Sequence, residues 1–367
     1  MSELILDGHK LAWHRERVEA WLNGERIAPI TIDCALTRRC TYRCVYCYGQ
    51  LQANDEKRIT EEVIFRFLDD AAEIGVKAIS FVSDGESTCS PHLVKAVVRG
   101  KTNGLDMALG TNGYLLKYED LESLCQALTY LRFNISAGQP SRYAQIHGCP
   151  EANFYRVCEI ISQCVQIKKC LGLSVTIGLQ MVLLPEFSDQ VLPLAHLGRN
   201  LGVDYLVIKH CSDDETRSLG VNYDRYFSLV GLLQKAESLS SQEYLVRAKW
   251  SKILSQGKRR YKRCFGPAFI MQFSGSGLVA PCGMLFNRKY RRYHIGNLVE
   301  KSFRDLWRSE RYWEVLNLIA SEGFDPQNMC GSLCLQHKVN EYLWDLKNGK
   351  VSLEPPLGPP PLHVNFI

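Results

Sequence analysis

Three thiols fall within eight residues of this chain, in Cys40-Thr41-Tyr42-Arg43-Cys44-Val45-Tyr46-Cys47. Thiolates are the natural ligands of iron–sulfur clusters. Three of them can hold three irons of a cubane and leave the fourth open to an outside chelating ligand. A structural zinc site wants four ligands, and no neighbouring Cys or His completes a set. Tyr48 and Gly49 follow the run, which argues against a buried structural helix.

A second group, Cys264, Cys282, Cys330 and Cys334, lies far downstream. Four thiolates can fully ligate one [4Fe–4S] cluster, and they also suit a structural zinc. A fully ligated cluster has no open iron for a substrate. It accepts or passes an electron, at a potential set by burial and by hydrogen bonds to its sulfurs. His337 stands near enough in sequence to replace one thiolate. Cys211, preceded by Lys209 and His210, ends a predicted strand and is expected to face the reactive cavity. The other cysteines (Cys34, Cys89, Cys125, Cys149, Cys158, Cys164 and Cys170) read mostly as small buried hydrophobes.

These groups need a scaffold, and the pattern of the chain supplies one. From residue 31 strand and helix patterns alternate. The first strand, Ile30-Thr31-Ile32, runs into the cysteine-rich loop. A helix is predicted over 61–74, with Thr60 as N-cap, Glu61 and Glu62 in the first turn, and Gly75 closing it. Further strands are predicted at 78–82, 107–109, 131–135, 173–183 and 205–208, with helical patterns between them. Such alternation argues for a parallel sheet with crossover helices. The expected fold class is α/β: a partial (βα)6 barrel over 31–245, then a small α+β domain over 246–340. A lead of residues 1–30 precedes it, and a Pro-rich tail over 341–367 follows, expected to be extended over 351–367. Chemistry in barrels gathers at the C-terminal ends of the strands.

The cysteine spacing of the first group, with an aromatic residue before the third thiol, resembles the radical S-adenosylmethionine (SAM) superfamily. The resemblance implies that SAM binds the open iron and that one electron cleaves it to a 5′-deoxyadenosyl radical, which abstracts hydrogen from a substrate. It places Tyr46 beside the adenine. Asp84-Gly85-Glu86 resembles the family's Gly-Gly-Glu segment, which meets the SAM amino group, with Asp84 in place of the first glycine. Asn112, in Gly110-Thr111-Asn112-Gly113, lies in a turn common at the SAM face. Asn134 and Ser136 are candidates for the ribose hydroxyls. Cys264, Gly277 and Cys282 resemble the first half of a SPASM auxiliary-cluster domain, as do His294-Ile295-Gly296-Asn297-Leu298 and the residues from Ser302 to Trp307. With only Cys330 and Cys334 remaining downstream, the chain resembles the one-cluster form called a twitch domain. Beside the first motif, a second [4Fe–4S] cluster is expected rather than zinc.

Composition narrows the function classes. Fifteen cysteines, an odd number, come without a recognisable signal peptide, which points to metal binding in a reducing cytoplasm rather than to disulfides. No apolar run reaches the ~18 residues of a membrane span. A net charge of +5 does not suggest a nucleic-acid binder. The basic runs 258–263 and 288–292 suit either an acidic substrate group or a solvated face. The expected activity is hydrogen abstraction from a small polar substrate, an alcohol or a sugar unit, giving epimerisation or dehydrogenation. In the first case Cys211 donates the hydrogen; in the second Lys209 or His210 takes the hydroxyl proton. A peptide or protein maturase is the alternative. A non-catalytic electron carrier would have no use for an open iron. A reducing protein such as a flavodoxin or ferredoxin is the implied partner.

The reconstituted protein should hold about eight irons, the sum of two cubanes. Cys40→Ala, Cys44→Ala and Cys47→Ala together should leave about four and abolish 5′-deoxyadenosine formation. A triple variant that still makes 5′-deoxyadenosine overturns the assignment.

Overall fold

Seven strands run parallel, in chain order, from the first predicted strand onward. They are β1 (Thr31–Cys34), β2 (Ala78–Phe81), β3 (Asp106–Thr111), β4 (Leu128–Asn134), β5 (Thr176–Leu183), β6 (Tyr205–His210) and β7 (Leu245–Ala248). The structure is a computed structural model describing residues 3–356 and 358–367. Three further strands, β8 (Ile270–Phe273), β9 (Leu278–Ala280) and β10 (Gly296–Asn297), extend the sheet beyond β1. The order is β10-β9-β8-β1-β2-β3-β4-β5-β6-β7, an open sheet of ten strands.

Local chemistry explains the elements. The helix Glu61–Ile74 begins where Thr60 accepts a hydrogen bond from Val63 N–H and ends where Gly75 turns left-handed at φ 96°. Along each strand alternate side chains point to opposite faces. One set, including Ile32, Ile79, Leu109, Leu131, Leu179 and Leu206, packs against the helices in the main core. The other set lines the hollow of the curved sheet: Ala78, Ala108 and Tyr130 at its base, with Ser80 bonded to Tyr130 OH at 3.1 Å. Gly178 belongs to this inner set, because a Cβ there would lie 2.1 Å from the Tyr205 ring.

Three expectations change. The strand β7 was not foreseen; it straddles the boundary expected at residue 245 and pairs in parallel with β6. The C-terminal part adds strands to the barrel's own sheet, β8 pairing in parallel with β1. The helix His337–Lys347 crosses the boundary expected at residue 340, and the last residues fold back under the barrel. Phe366 packs edge-on to Tyr130, Asn365 bonds Asp106 at 2.7 Å, and Lys10 Nζ donates to the carbonyl of Phe366 at 2.6 Å. This closes the N-terminal ends of the strands. The opposite end is left to the cysteine-bearing loops.

Candidate active site

The loop of Cys40, Cys44 and Cys47 leaves β1 and is held by the end of the helix Pro140–His147. Arg43 N–H and Val45 N–H donate to the carbonyls of His147 and Ile146 at 3.1 and 2.9 Å. Cys40 is exposed, and Cys44 and Cys47 are half-buried. His147, which the sequence reading passed over, touches three of the residues in question. Ser136 N–H donates to its Nε2 at 3.0 Å. Burial lowers the ring's pKa to about 3, so it is neutral. A neutral ring that accepts at Nε2 carries its proton on Nδ1. Nδ1 stands 3.2 Å from Cys44 Sγ and 3.4 Å from Tyr46 OH, and so donates toward the sulfur. The only signal for His147 in the sequence was a histidine before the glycine that closes a helix.

The side chains of Glu86 and Asp84 are both engaged within the protein. Both Glu86 oxygens are occupied within the protein: one accepts from Thr111 Oγ1 at 2.7 Å and from Thr88, the other from Asn112 N–H at 2.7 Å. The carboxylate thus fixes the turn after β3, and Asn112 in turn reaches Thr41 Oγ1 at 3.1 Å. Asp84 turns its side chain away, accepting from Ser274 Oγ at 2.6 Å and Gly275 N–H at 2.9 Å. A Cβ on Gly85 would stand 1.9 Å from Thr37 O, and one on Gly275 2.1 Å from Thr37 C. The backbone leading into the cysteine loop is clasped between two glycines. Ser136 Oγ accepts from Val182 N–H at 3.1 Å, and Asn134 Oδ1 accepts from Gln180 at 2.8 Å.

The hollow of the barrel holds charge. Asp33 on β1, Arg132 on β4 and Lys209 on β6 lie within electrostatic reach of one another. Burial pushes the Asp33 carboxyl up to about 7 against the pull of Arg132 and Lys209. Burial, with Lys252 and Arg132 nearby, pulls Lys209 well below the usual lysine range. Asp33 was not foreseen, since a lone aspartate in a strand gives no spacing signal. His210 is a correction: the strand's alternation turns it from Lys209 into the outer layer, between Tyr223 and Tyr226, where its Nε2 has no partner. Cys211 returns to the inner face. It is fully buried, its Sγ 3.8 Å from the Tyr46 carbonyl, and burial pushes its thiol up to about 12.

Cys264, Cys282, Cys330 and Cys334 line one small cavity. Burial pushes Cys264 and Cys282 well above the thiol range. Asn340 Nδ2 donates to Cys264 Sγ at 3.5 Å. Arg259 enters the same cavity and donates to the carbonyls of Pro326, Gly331 and Ser332, holding the loop that carries the last two thiols. His337 turns away toward Tyr261 and Glu341 and does not line the cavity; Gln336 does. The basic runs are partly paired within the protein. Arg260 meets Glu341 and Asp345, Arg263 meets Glu322, and Lys289 meets Glu215. Of the remaining cysteines only Cys34, Cys125 and Cys164 are fully buried, and Cys170 is exposed.

The end of β6 is joined to the loop of the auxiliary thiols. Ser332 N–H donates to Asp213 O at 3.0 Å, Asp213 N–H to Ser332 Oγ at 3.0 Å, and Ser212 Oγ to Leu333 O at 2.8 Å. A Cβ on Gly331 would stand 1.9 Å from Asp213 O. The segment following Cys211 is therefore zipped to the loop between Cys330 and Cys334.

Comparison with known proteins matches residues 35–197 to the radical SAM superfamily and residues 264–334 to an iron–sulfur cluster-binding domain, SPASM. A tungsten-containing aldehyde ferredoxin oxidoreductase cofactor-modifying protein of Pyrococcus furiosus is 25% identical over 292 residues, 76% of this chain and 80% of that one. An AdoMet-dependent heme synthase of Methanosarcina barkeri is 24% identical over 335 residues, 85% and 90% of the two chains. The crystal structure of Streptococcus suis SuiB bound to S-adenosylmethionine superposes with a TM-score of 0.64 at 15% identity, covering 84% of this chain and 72% of that one. The donor sets fit what these domains carry. Among the described residues no three Cys, His, Asp or Glu side chains converge tightly enough for a single metal ion. Four thiols can ligate either a polynuclear cluster or zinc, and the match of residues 264–334 to an iron–sulfur cluster-binding domain favours the cluster.

A hydrogen bond to a ligand sulfur stabilises the reduced cluster. His147→Phe should therefore lower the midpoint potential of the SAM-binding cluster while leaving the iron content unchanged, as read by anaerobic titration followed by EPR. An unchanged potential would remove His147 from the electronics of the site.

Proposed function

We propose, for a chain that belongs to the radical SAM superfamily and carries a second iron–sulfur domain, that it oxidises a small polar substrate inside its barrel. The observation that carries this reading is the backbone zipper between residues 212–214 and 331–333. It ties the reactive end of β6 to the loop of the auxiliary thiols, which is what a substrate-derived electron leaving for a second cluster requires. When bound, SAM on a cluster held by Cys40, Cys44 and Cys47 supplies a 5′-deoxyadenosyl radical that takes one hydrogen atom, and a cluster held by Cys264, Cys282, Cys330 and Cys334 accepts the electron left behind.

The chain's own part is to hold the substrate and remove a proton. Loss of a hydrogen atom, a proton and an electron turns a carbinol into a carbonyl. Asp33 is the base best placed for the proton: it lies in the hollow, and its pKa of about 7 suits general-base work near neutral pH. It takes the role expected of Lys209 or His210. Tyr46, Asn112, Asn134 and Ser136 line the approach to SAM, with His147 orienting the loop. A reducing protein such as a flavodoxin or ferredoxin supplies the initiating electron. We place the enzyme in the cytoplasm, whose reducing milieu suits fifteen cysteines; among the described residues no helix is long and apolar enough to cross a membrane.

Epimerisation is the second reading, and one observation favours it. Burial keeps Cys211 a thiol, which still has the hydrogen that a donor needs. The full covering of its sulfur favours oxidation instead. The relatives act on different classes of molecule by their names, so no substrate is carried over from them. A peptide substrate would have to reach the same hollow.

Two measurements test this. An ionised Asp33 is the active base, so turnover should rise with pH through about 7. Asp33→Asn should lose that limb and roughly 10²–10⁴ in product formation while 5′-deoxyadenosine still forms. A variant with the full rate and the same profile removes Asp33 from the reaction. Separately, turnover in heavy water should give a product two hydrogens lighter with no deuterium, unaffected by Cys211→Ala. One deuterium at an inverted carbon, lost in that variant, would establish the epimerase instead.

A further inference from the structure

The barrel's interior carries more positive charge than its own groups can neutralise. Arg132, Lys209, Lys249 and Lys252 stand within electrostatic reach of one another, each cation opposing its neighbours. Among the described residues none of the four makes a side-chain hydrogen bond or an ion pair, and Arg132 Nε is buried without a partner. Two carboxylates face the group. Asp7 is already engaged by Ser251 N–H at 2.9 Å and by Ser251 Oγ at 2.5 Å. Asp33 makes no contact pair with any of the four. Unpaired buried charge is costly, and chains keep it where a ligand completes it.

The strands place a glycine on either side of the guanidinium. Arg132 is flanked in register by Gly110 on β3 and Gly178 on β5. A Cβ at Gly110 would stand 3.3 Å from an Arg132 terminal nitrogen. The Tyr205 ring fills the space beside Gly178 and Val82 that beside Gly110, so the two glycines let these side chains close around a half-buried arginine whose Nε stays unpartnered. The flat fork of arginine matches the oxygens of a carboxylate or a phosphate in pairs. Lys209 lies two residues before Cys211, whose sulfur meets the cysteine loop. A group anchored at Arg132 would therefore leave the rest of its molecule pointing at the reactive end.

We infer that the substrate carries an oxyanion, a carboxylate or a phosphate, which docks in the barrel against Arg132 with Lys209 and Lys249 beside it. This rests on the reading that the substrate occupies the barrel, and it names the chemistry of one end of that substrate. Asp33 competes for the same cations, so its effect on binding has the opposite sign from theirs.

The test uses the anaerobically reconstituted, two-cluster protein with SAM bound, in low salt at pH 7. Inorganic phosphate and malonate are titrated by calorimetry, against sodium chloride at matched ionic strength. One or both should bind where chloride does not; phosphate alone marks a phosphorylated substrate, malonate alone a carboxylate. Arg132→Gln and, independently, Lys249→Gln should each weaken binding about tenfold or more, and Asp33→Asn should strengthen it several-fold. Iron content and circular dichroism confirm that each variant is folded. Binding no better than chloride, binding unchanged in both cation variants, or binding lost once SAM is present overturns the proposal; the last would assign the cations to SAM's own carboxylate. Reductive cleavage of SAM, followed on the same samples, tests the underlying reading separately, because anion binding needs no electron.

Discussion

The peptide at Thr37 has no room for a side chain on either of its neighbours. Gly85 presses on it from the loop after β2 and Gly275 from the turn between β8 and β9, each at a distance that excludes a Cβ. Asp84 then bonds that turn directly. The start of the cysteine loop is thereby set by two parts of the chain almost two hundred residues apart. A second clasp of the same kind, Gly331 against Asp213, sets the loop of the auxiliary thiols. Both thiol groups owe their places to backbone packed on backbone, which is less yielding than any side-chain contact. This also explains why the C-terminal part extends the barrel's sheet. Strands β8 and β9 bring the clasp to Thr37 in fixed register with β1.

Closing the barrel's lower end with the tail has an electrostatic result. Lys10, which burial brings down to about 7, is satisfied by tail carbonyls, and Tyr130 is covered by Phe366. The base of the hollow is therefore filled, and its lysine is hydrogen-bonded within the protein. The charged groups lie above it, nearer the cysteine loop. The interior has a floor of aromatic and small side chains and an upper layer in which charge survives without protein partners.

Much of this was legible in the sequence where the signal is local. The helix Glu61–Ile74 follows its cap, first-turn acids and closing glycine residue for residue. The cysteine groups announced themselves by type and spacing, and the two family domains fall where those groups lie. What was missed depends on contacts across the chain. Strand β7 is four residues long, with an exposed Arg247, and gives no clear period. His210 and Lys209 are neighbours in sequence but occupy opposite faces, and two polar residues side by side cannot reveal which faces inward. Asp33 and His147 matter because of groups brought to them from other strands and helices. The basic runs suited either an acidic ligand or a solvated face; the carboxylates that pair three of their members, Glu341 and Asp345, Glu322, and Glu215, come from distant segments.

The placement of cations bears on the direction of the chemistry. Lys252 neighbours Lys249 on one side and Cys334 and Arg259 on the other, so positive charge runs from the barrel's hollow to the auxiliary cavity. Four thiolates around a cluster carry excess negative charge, and adding an electron increases it. Half-buried Arg259 and buried Lys252 beside them, with Asn340 donating to Cys264, would stabilise the reduced state of a cluster held there and raise its potential. An auxiliary centre in such surroundings is better fitted to take an electron from a substrate radical than to supply one. The same cations, at the other end of the run, are those left without partners in the hollow. An anionic substrate would thus be drawn toward the side of the barrel from which its electron departs.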